Sequence, residues 1–588
     1  MTILTGPTRQ LPNRRAHEVF EARVRACPDA VAAVHGDRQL SYRELNARAN
    51  RLARALLARG LTREGVVGVM TERNLDWLVA VLGVFKAGGA YLPIEPHFPA
   101  ERVARMLSRA QCRIVLREED IVAAYRAAGS DDDLGVDVRP DQLAYIYFTS
   151  GSTGEPKGAM CEHGGMLNHL FAKIDDLQIG AGTVVAQTAP QCFDISLWQL
   201  LAALLAGGRT LIVEQATILD AKRFIDKIAL GRVNVLQVVP SYLEVLVTYL
   251  AQHPRELDDL EYVVATGEAL KKELVERWFV VQPRIKLVNA YGLTETSDDT
   301  NHEIMDRVPV ETRVPLGCPV NNVEIYLVDE NLDPVPLGEV GEIVFAGICV
   351  GRGYINDPER TRAAFLPDPR HRGERMYRSG DFGRAIPGGK LEFLGRRDSQ
   401  VKISGFRIEI GEIENRLLRI AGVRDAAVVV NAHATAFYTG AKRDVEAIRE
   451  QLGQSLPAYM VPAVIQWRET LPLTENGKID RKALAVLARE VEVGDKTAES
   501  PRTATELWLA GAWADVLGIA PTQIGGRDNF FDLGGTSLTA LKLLIALDRA
   551  LSFKDFTAHP TLAEQAALLD ERGVQPGKAK APSGSCAT

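Results

Sequence analysis

Between residues 41 and 60 apolar positions recur every third or fourth place. Leu45, Ala49, Leu52, Ala53, Leu56 and Leu57 fall on one face of a helix, and Gly60 closes the run. Ser41 and Glu44 have the spacing of a capping box, so a helix is expected to start there. Short β-rich runs follow at 66–70 (VVGVM), 144–148 (AYIYF) and 211–214 (LIVE), separated by helical stretches. That alternation predicts a layered α/β domain reaching to about residue 395. The most apolar stretch, WLVAVLGVF at 77–85, ends at Lys86. It is far shorter than the roughly 20 residues a bilayer crossing needs and reads as a buried helix.

Further on, the strand-like AAVVV and the amphipathic DVEAIREQL suffice for a small α+β domain. EVEVGDKTAESPRT is charged and without apolar periodicity, and reads as a linker. A short helical region begins at ATELWLAGAWADVLGI, and GVQPGKAKAPSGSCAT should be disordered. The expected division is an N-terminal extension (1–16), a large domain (17–397), a small one (398–488), a linker (489–503), a helical domain (504–574) and a tail (575–588). No internal repeat is found.

Composition narrows the class. A chain of 588 residues with 46% hydrophobic and 25% charged residues is globular and too long for a single core. A net charge of −7 offers no basic face for nucleic acid or an anionic membrane, and neither is expected as a partner. The start of the chain shows no apolar core followed by a cleavage site, so a cytoplasmic protein is expected. Seven scattered cysteines, without a CxxC pair, fit reduced thiols better than a disulfide framework or a zinc site.

The stretch FTSGSTGEPKGAM at 148–160 is where chemistry first shows. Its glycines allow close approach of the backbone, its hydroxyls and amides can surround an anion, and Lys157 adds a positive charge. It is not the GxxxxGK[ST] loop, because Gly158 stands where a Ser or Thr would reach magnesium. Downstream come FDISLWQLL (193–201), NAYGLTET (289–296), YRSGDFGR (377–384), GRRDSQVKISGFRIEIGEIE (395–414) and NGKIDRKAL (476–484).

This ordered set resembles the adenylate-forming superfamily, and specifically the adenylation domains of nonribosomal peptide synthetases, over nearly all of residues 17–488. The resemblance implies a large layered domain, a small α+β subdomain on a hinge, and activation of a carboxylic acid with ATP and Mg2+. It places Thr149, Ser150, Gly151, Ser152, Thr153, Gly154 and Lys157 on the phosphates, Asn289, Tyr291, Gly292, Asp381 and Arg396 around the nucleoside, and Thr294 on the α-phosphate. Glu295 is implied as the Mg2+ ligand, Lys478 as the bridge between substrate carboxylate and nucleotide, and Asp398 as the hinge. Attack of a carboxylate on a phosphate gathers negative charge, which is why cations and oriented donors carry such a site.

DNFFDLGGTSLTALKLL at 528–544 resembles a peptidyl carrier motif, an all-α four-helix domain whose serine, here Ser537, takes 4′-phosphopantetheine. Thr536 stands where His or Asp is more usual, and ALDRALSFKDFTAHPT is shorter than the usual loop between the second and third helices. By the same resemblance the substrate pocket comprises Asp194, Ile195, Trp198, Gln237, Val264, Thr266, Ala290, Asp298, Asp299 and Lys478, with Asp194 pairing the substrate α-amine. Asp298 and Asp299 would repel each other unless a cation lies between or beside them, so a diamino acid is the expected substrate, and the pocket pattern resembles those associated with 2,4-diaminobutyrate. In an extended segment the two carboxylates point to opposite faces, and one would then support the other.

HHxxxDG and GxSxG are absent, so a free-standing adenylation and carrier didomain is expected. The partners implied are a phosphopantetheinyl transferase, a downstream condensation or tailoring enzyme, and an MbtH-like activator as a candidate. Alternatives are an acyl- or aryl-CoA ligase of the same superfamily and a non-catalytic nucleotide-binding scaffold. Gln199 and the HGG at 163–165 depart from the family pattern without an evident reason.

Overall fold

The computed structural model describes residues 3–127, 129–151, 155–396, 400–403, 406–430, 434–472, 479–493, 500–531 and 533–574. The capping box closes as the spacing predicts: the Glu44 amide donates to Ser41 Oγ at 3.2 Å, the Ser41 amide donates to Glu44 at 2.8 Å, and the helix runs Tyr42–Ala58. Its apolar face is buried except for Leu57, which is 39% exposed at the last turn. Gly60 ends it with φ +83°.

Two sheets organise the large domain. One has nine strands in the order Cys318–Pro319, Asp298–Met305, Lys286–Leu293, Tyr262–Ala265, Val235–Val238, Val184–Gln187, Arg209–Ile212, Val31–His35 and Arg38–Ser41. The six-stranded second sheet has Leu143–Thr149, Ala90–Ile94, Val66–Met70 and Ile114–Arg117 as parallel neighbours, with Lys157–Glu162 and Gly353–Tyr354 antiparallel at one side. The helix Leu75–Lys86 packs against strands of both sheets and is buried along its whole length. A helix covered on all sides has no polar face to keep, which is why WLVAVLGVF lacks amphipathic periodicity. A third sheet of six strands is antiparallel throughout and carries Arg375–Ile386 paired with Lys390–Arg396.

The small α+β region holds the hairpin Gln400–Ile403 and Phe406–Glu409, the helix Ile410–Leu418, and a sheet of Val423–Val430, Ala434–Gly440 and Val464–Trp467. Its helix Arg481–Val493 continues past residue 488, where the sequence suggested a linker. Leu484 and Ala488 are buried against Phe437 and the Val429 strand, and that contact carries the helix onward. Last come the helices Ala504–Leu517, Ser537–Ala546, Phe553–Ala558 and Leu562–Glu571, packed around Trp513, Phe530 and Phe556. The short connection after Ala546 is made by Asp548 and Arg549, both at positive φ (48° and 60°).

No helix among the described residues is long and apolar enough to cross a membrane. All six described cysteines are unpaired thiols, as the scattered spacing suggested.

Candidate functional site

The strands Leu143–Thr149 and Lys157–Glu162 are antiparallel, with Thr149 opposite Lys157, so the glycine-rich segment is the loop of a hairpin. A Cβ on Gly151 would lie 1.9 Å from the Glu155 carbonyl oxygen, and only glycine fits that approach. Ser152, Thr153, Gly154, Asp398 and Lys478 lie outside the described residues.

Lys157 is buried, with Nζ 3.2 Å from Glu295 and 3.4 Å from the Tyr354 hydroxyl. That hydroxyl in turn donates to Glu295 at 2.8 Å. The fully buried Glu295 carboxylate offers the oxygen ligands a hard divalent cation takes, and the Lys157 ammonium beside it offers a positive charge to a phosphate.

Among the residues expected around the nucleoside, the Tyr291 hydroxyl donates to Asp381 at 2.5 Å, and Arg396 pairs with the same carboxylate. The Tyr291 ring packs near Phe345 and Phe393. Gly292 sits at an irregularity in strand pairing, where a Cβ would meet the Asp298 carbonyl oxygen at 2.0 Å. Asn289 instead turns inward and donates to the Pro315 carbonyl at 2.7 Å.

Asp194 caps the helix Ile195–Ala206 by accepting from the Ile195 amide at 3.0 Å. Burial pushes its carboxyl up to about 6, against a hydrogen bond from Thr294 that favours the ionised form. Asp194, Ile195, Gln237, Thr266, Asp298 and Asp299 line one cavity. Trp198, Val264 and Ala290 are buried. Both polar atoms of the Gln237 side chain are buried without a hydrogen-bond partner among the described residues.

The two β-strand aspartates differ. Asp299 accepts from Lys173 Nζ at 2.7 Å and from Thr266 Oγ1 at 3.0 Å; burial would raise its pKa, but Lys173 together with His169 and His302 holds it below the usual range. Asp298, at φ +86°, has an oxygen with no hydrogen-bond partner among the described residues, 3.6 Å from His169 Nδ1. Burial and then the Asp299 charge push Asp298 well above the usual carboxylate range. The cation expected between or beside the two carboxylates is, for Asp299, one within the chain, Lys173.

Lys173, His169 and His302 were missed in the sequence, although the helix His163–Asp176 presents His169, Lys173 and Asp176 at helical spacing to Asp298, Asp299 and His302. The same helix explains the HGG. A Cβ on Gly165 would lie 2.4 Å from Ser297 Oγ, so glycine lets the helix approach the turn that carries Asp298. Gln199 is explained too: its carbonyl oxygen accepts from the Thr188 and Ala189 amides at 2.9 and 3.0 Å.

The cavity has a volume of about 790 Å3 and extends from Asp298 and Asp299 past Asp194, Thr294 and Ser150 to Gly535, Thr536 and Ser537 of the helical domain. Ala434, Tyr459 and Val461 of the small region also line it. Ser537 is the first residue of its helix, which Thr536 caps by accepting from the Thr539 amide at 3.2 Å. In front of it, a Cβ on Gly535 would lie 2.2 Å from the Phe530 ring, which accounts for the second glycine of FFDLGG.

Two groups of contacts hold this arrangement. Lys542 reaches Glu244 at 2.6 Å and Arg549 pairs with Asp220, so the Ser537 helix lies along the helix Pro240–Gln252. From the small region, Glu412 pairs with the buried Arg102 at 3.3 Å and accepts from the Gly151 amide at 3.3 Å, while the Glu409 amide donates to Ser150 Oγ at 2.9 Å.

Models of known families match three parts of the chain: AMP-binding enzyme over residues 20–355, AMP-binding enzyme C-terminal domain over 412–478, and phosphopantetheine attachment site over 507–569. Among curated proteins the chain is similar to tyrocidine synthase 1 of Brevibacillus parabrevis, 37% identical over 94% of this chain and 52% of that protein. It is 36% identical to bacitracin synthase 2 of Bacillus licheniformis over 92% of this chain and 22% of that protein. The chain thus spans about half the length of the first and about a fifth of the second.

Among solved structures it is similar to holo-PA1221, an NRPS protein containing adenylation and PCP domains bound to a vinylsulfonamide inhibitor. The TM-score is 0.81 at 28% identity, covering 96% of this chain and 99% of that one. A four-domain nonribosomal peptide synthetase bound to AMP and glycine matches with a TM-score of 0.61 at 29% identity, covering 97% and 43%.

Proposed function

The chain belongs to the AMP-binding enzyme family, as an adenylation and carrier didomain of the nonribosomal peptide synthetase type, and on that premise we propose that it activates an amino acid as aminoacyl-AMP with ATP and transfers it to a phosphopantetheine thiol on its own Ser537. The observation that carries this reading is the single cavity joining Asp194, Thr294 and Ser150 to Ser537. ATP and Mg2+ supply the leaving pyrophosphate and its charge neutralisation when bound, with Glu295 as the metal ligand and Lys157 on the phosphates. Asp194 orients the substrate through its α-ammonium, and a hydrogen bond from Thr294 favours the ionised form of that carboxylate against its burial. Tyr291, Asp381 and Arg396 hold the nucleoside.

The substrate reading is a diamino acid, 2,4-diaminobutyrate. Counting charges supports it. Asp194, Asp298 and Asp299 face one internal ammonium, Lys173, while burial keeps His169 neutral. An α-ammonium on Asp194 leaves Asp298, which keeps its proton against burial and the Asp299 charge until a side-chain ammonium beside it offsets both and favours the ionised form. The proposed partners are a phosphopantetheinyl transferase, which must act before loading, and a condensation or tailoring enzyme, which must take the thioester; an MbtH-like activator is a candidate third. Amino-acid-dependent ATP–pyrophosphate exchange over proteinogenic and diamino acids tests the assignment. Exchange led by a neutral amino acid would overturn the diamino reading and leave the reaction class intact. Release of a soluble CoA thioester would favour the CoA-ligase alternative.

A further inference from the structure

Lys173 is 0% exposed at its side chain and lies outside the pocket lining, yet it touches two residues assigned to the pocket. Its Nζ is 2.7 Å from Asp299 and 4.9 Å from the centre of the Trp198 ring. Through Asp299 it reaches a third, since the single Thr266 hydroxyl proton is shared between Asp299 at 3.0 Å and the Ala290 carbonyl at 2.9 Å. A buried ammonium is costly unless paired, and an ammonium held over an aromatic face and against a carboxylate is paired twice. The helix that carries it approaches through Gly165, and its flanking positions repeat the theme: His169 meets Asp298 and Asp176 meets His302 at 2.7 Å.

We propose that Lys173 is a specificity-determining residue, the internal counter-ion that withdraws Asp299 from the substrate and leaves Asp298 alone to select its side chain. The inference rests on the reading that Asp298 and Asp299 border the bound amino acid. It goes beyond that reading by adding a residue of the helix His163–Asp176 to the set that decides which amino acid is accepted. Lys173 acts as a positioning residue: it orients Asp299 and Trp198 and sets the net charge of the cavity wall without touching the reacting atoms.

The test is ATP–pyrophosphate exchange with 2,4-diaminobutyrate and its neutral analogue norvaline, separating KM from kcat, for wild type, Lys173→Met, Asp299→Asn, the double variant, and Asp298→Asn. Asp299→Asn leaves the Lys173 charge uncompensated, so KM for diaminobutyrate should rise at least tenfold while that for norvaline moves less. Adding Lys173→Met should bring the diaminobutyrate KM back to within about threefold of wild type. Asp298→Asn should erase the preference for the diamino acid.

A double variant no better than Asp299→Asn would overturn the counter-ion role, because removing a lysine that only packs cannot rescue the loss of the Asp299 charge. Thermal unfolding of each variant separates misfolding from the effect on KM. If Lys173→Met does not fold, Lys173→Arg keeps the charge and should retain the wild-type ratio of the two substrates; a lost ratio would also overturn the proposal. Should wild type prefer a neutral amino acid, the diamino reading falls by itself, and the same compensation is then read with that amino acid.

Discussion

Asp194 has two tasks at the residue scale: it caps a helix through one oxygen and faces the cavity. Burial raises its pKa to about 6, so in the free protein the ionised form that binds an ammonium is present above that pH and is lost as pH falls through it. The account predicts that kcat/KM for the amino acid declines below about pH 6 while KM for ATP changes little, read from exchange rates between pH 5 and 8. Replacing Asp194 by Ala removes the partner of a buried ammonium. The expected loss is about 2–5 kcal/mol, or roughly 30-fold to several thousandfold in kcat/KM. Asp194, the phosphate loop and Ser537 were legible because each sits in a contiguous run of unusual residues. The Lys173–Asp299 pair was not, because its partners are 126 positions apart and a lysine in a helix reads as a solvated charge. Only the packing of that helix against the strand Asp298–Met305 shows otherwise.

Among the elements, the strongest departures from sequence expectation arise where one element is covered by another. The capping box of Tyr42–Ala58 and the strands at 66–70 and 144–148 follow from local pattern alone. By contrast the helix Arg481–Val493 runs into the apparent linker because of the core beneath it, and Asp548 and Arg549 turn a shortened loop by adopting positive φ that no residue type announces. The turn bearing Ser297 and Asp298, also at positive φ (58° and 86°), packs on the helix His163–Asp176 at Gly165. Gly165→Ala places a methyl against Ser297 and should cost about 1–3 kcal/mol, with KM for the amino acid raised more than KM for ATP. Differential scanning calorimetry and exchange kinetics on one preparation would check both. Within the helical domain, Trp513 is fully buried and its indole N–H donates to Gln565 at 3.2 Å. Trp513→Ala should cost about 3–5 kcal/mol in that domain and abolish loading of Ser537 while exchange persists.

Viewed as a whole molecule, the three regions meet around one cavity, and the contacts that bring them together are unequal. Arg102 and Glu412 are both buried, so Arg102→Ala leaves a carboxylate without its cation at the glycine-rich loop, a loss of about 3 kcal/mol or more from docking of the small region. Thioester formation should slow far more than exchange. The Lys542–Glu244 pair is part-exposed, at 29% and 40%, and belongs to the class of pairs contributing about 1 kcal/mol or less. Glu244→Lys should therefore slow loading only several-fold, be partly rescued by Lys542→Glu, and fade in high salt. The central claim is that the adenylate made at Asp194 is delivered through this cavity to Ser537 of the same chain. Intact-protein mass of the phosphopantetheinylated chain after incubation with ATP and 2,4-diaminobutyrate tests it most directly, with Ser537→Ala beside it. The account predicts an added aminoacyl mass that is present in the wild-type chain, absent from Ser537→Ala, and removed by a thiol such as cysteamine; vigorous exchange with no mass added to the phosphopantetheinylated chain would contradict it.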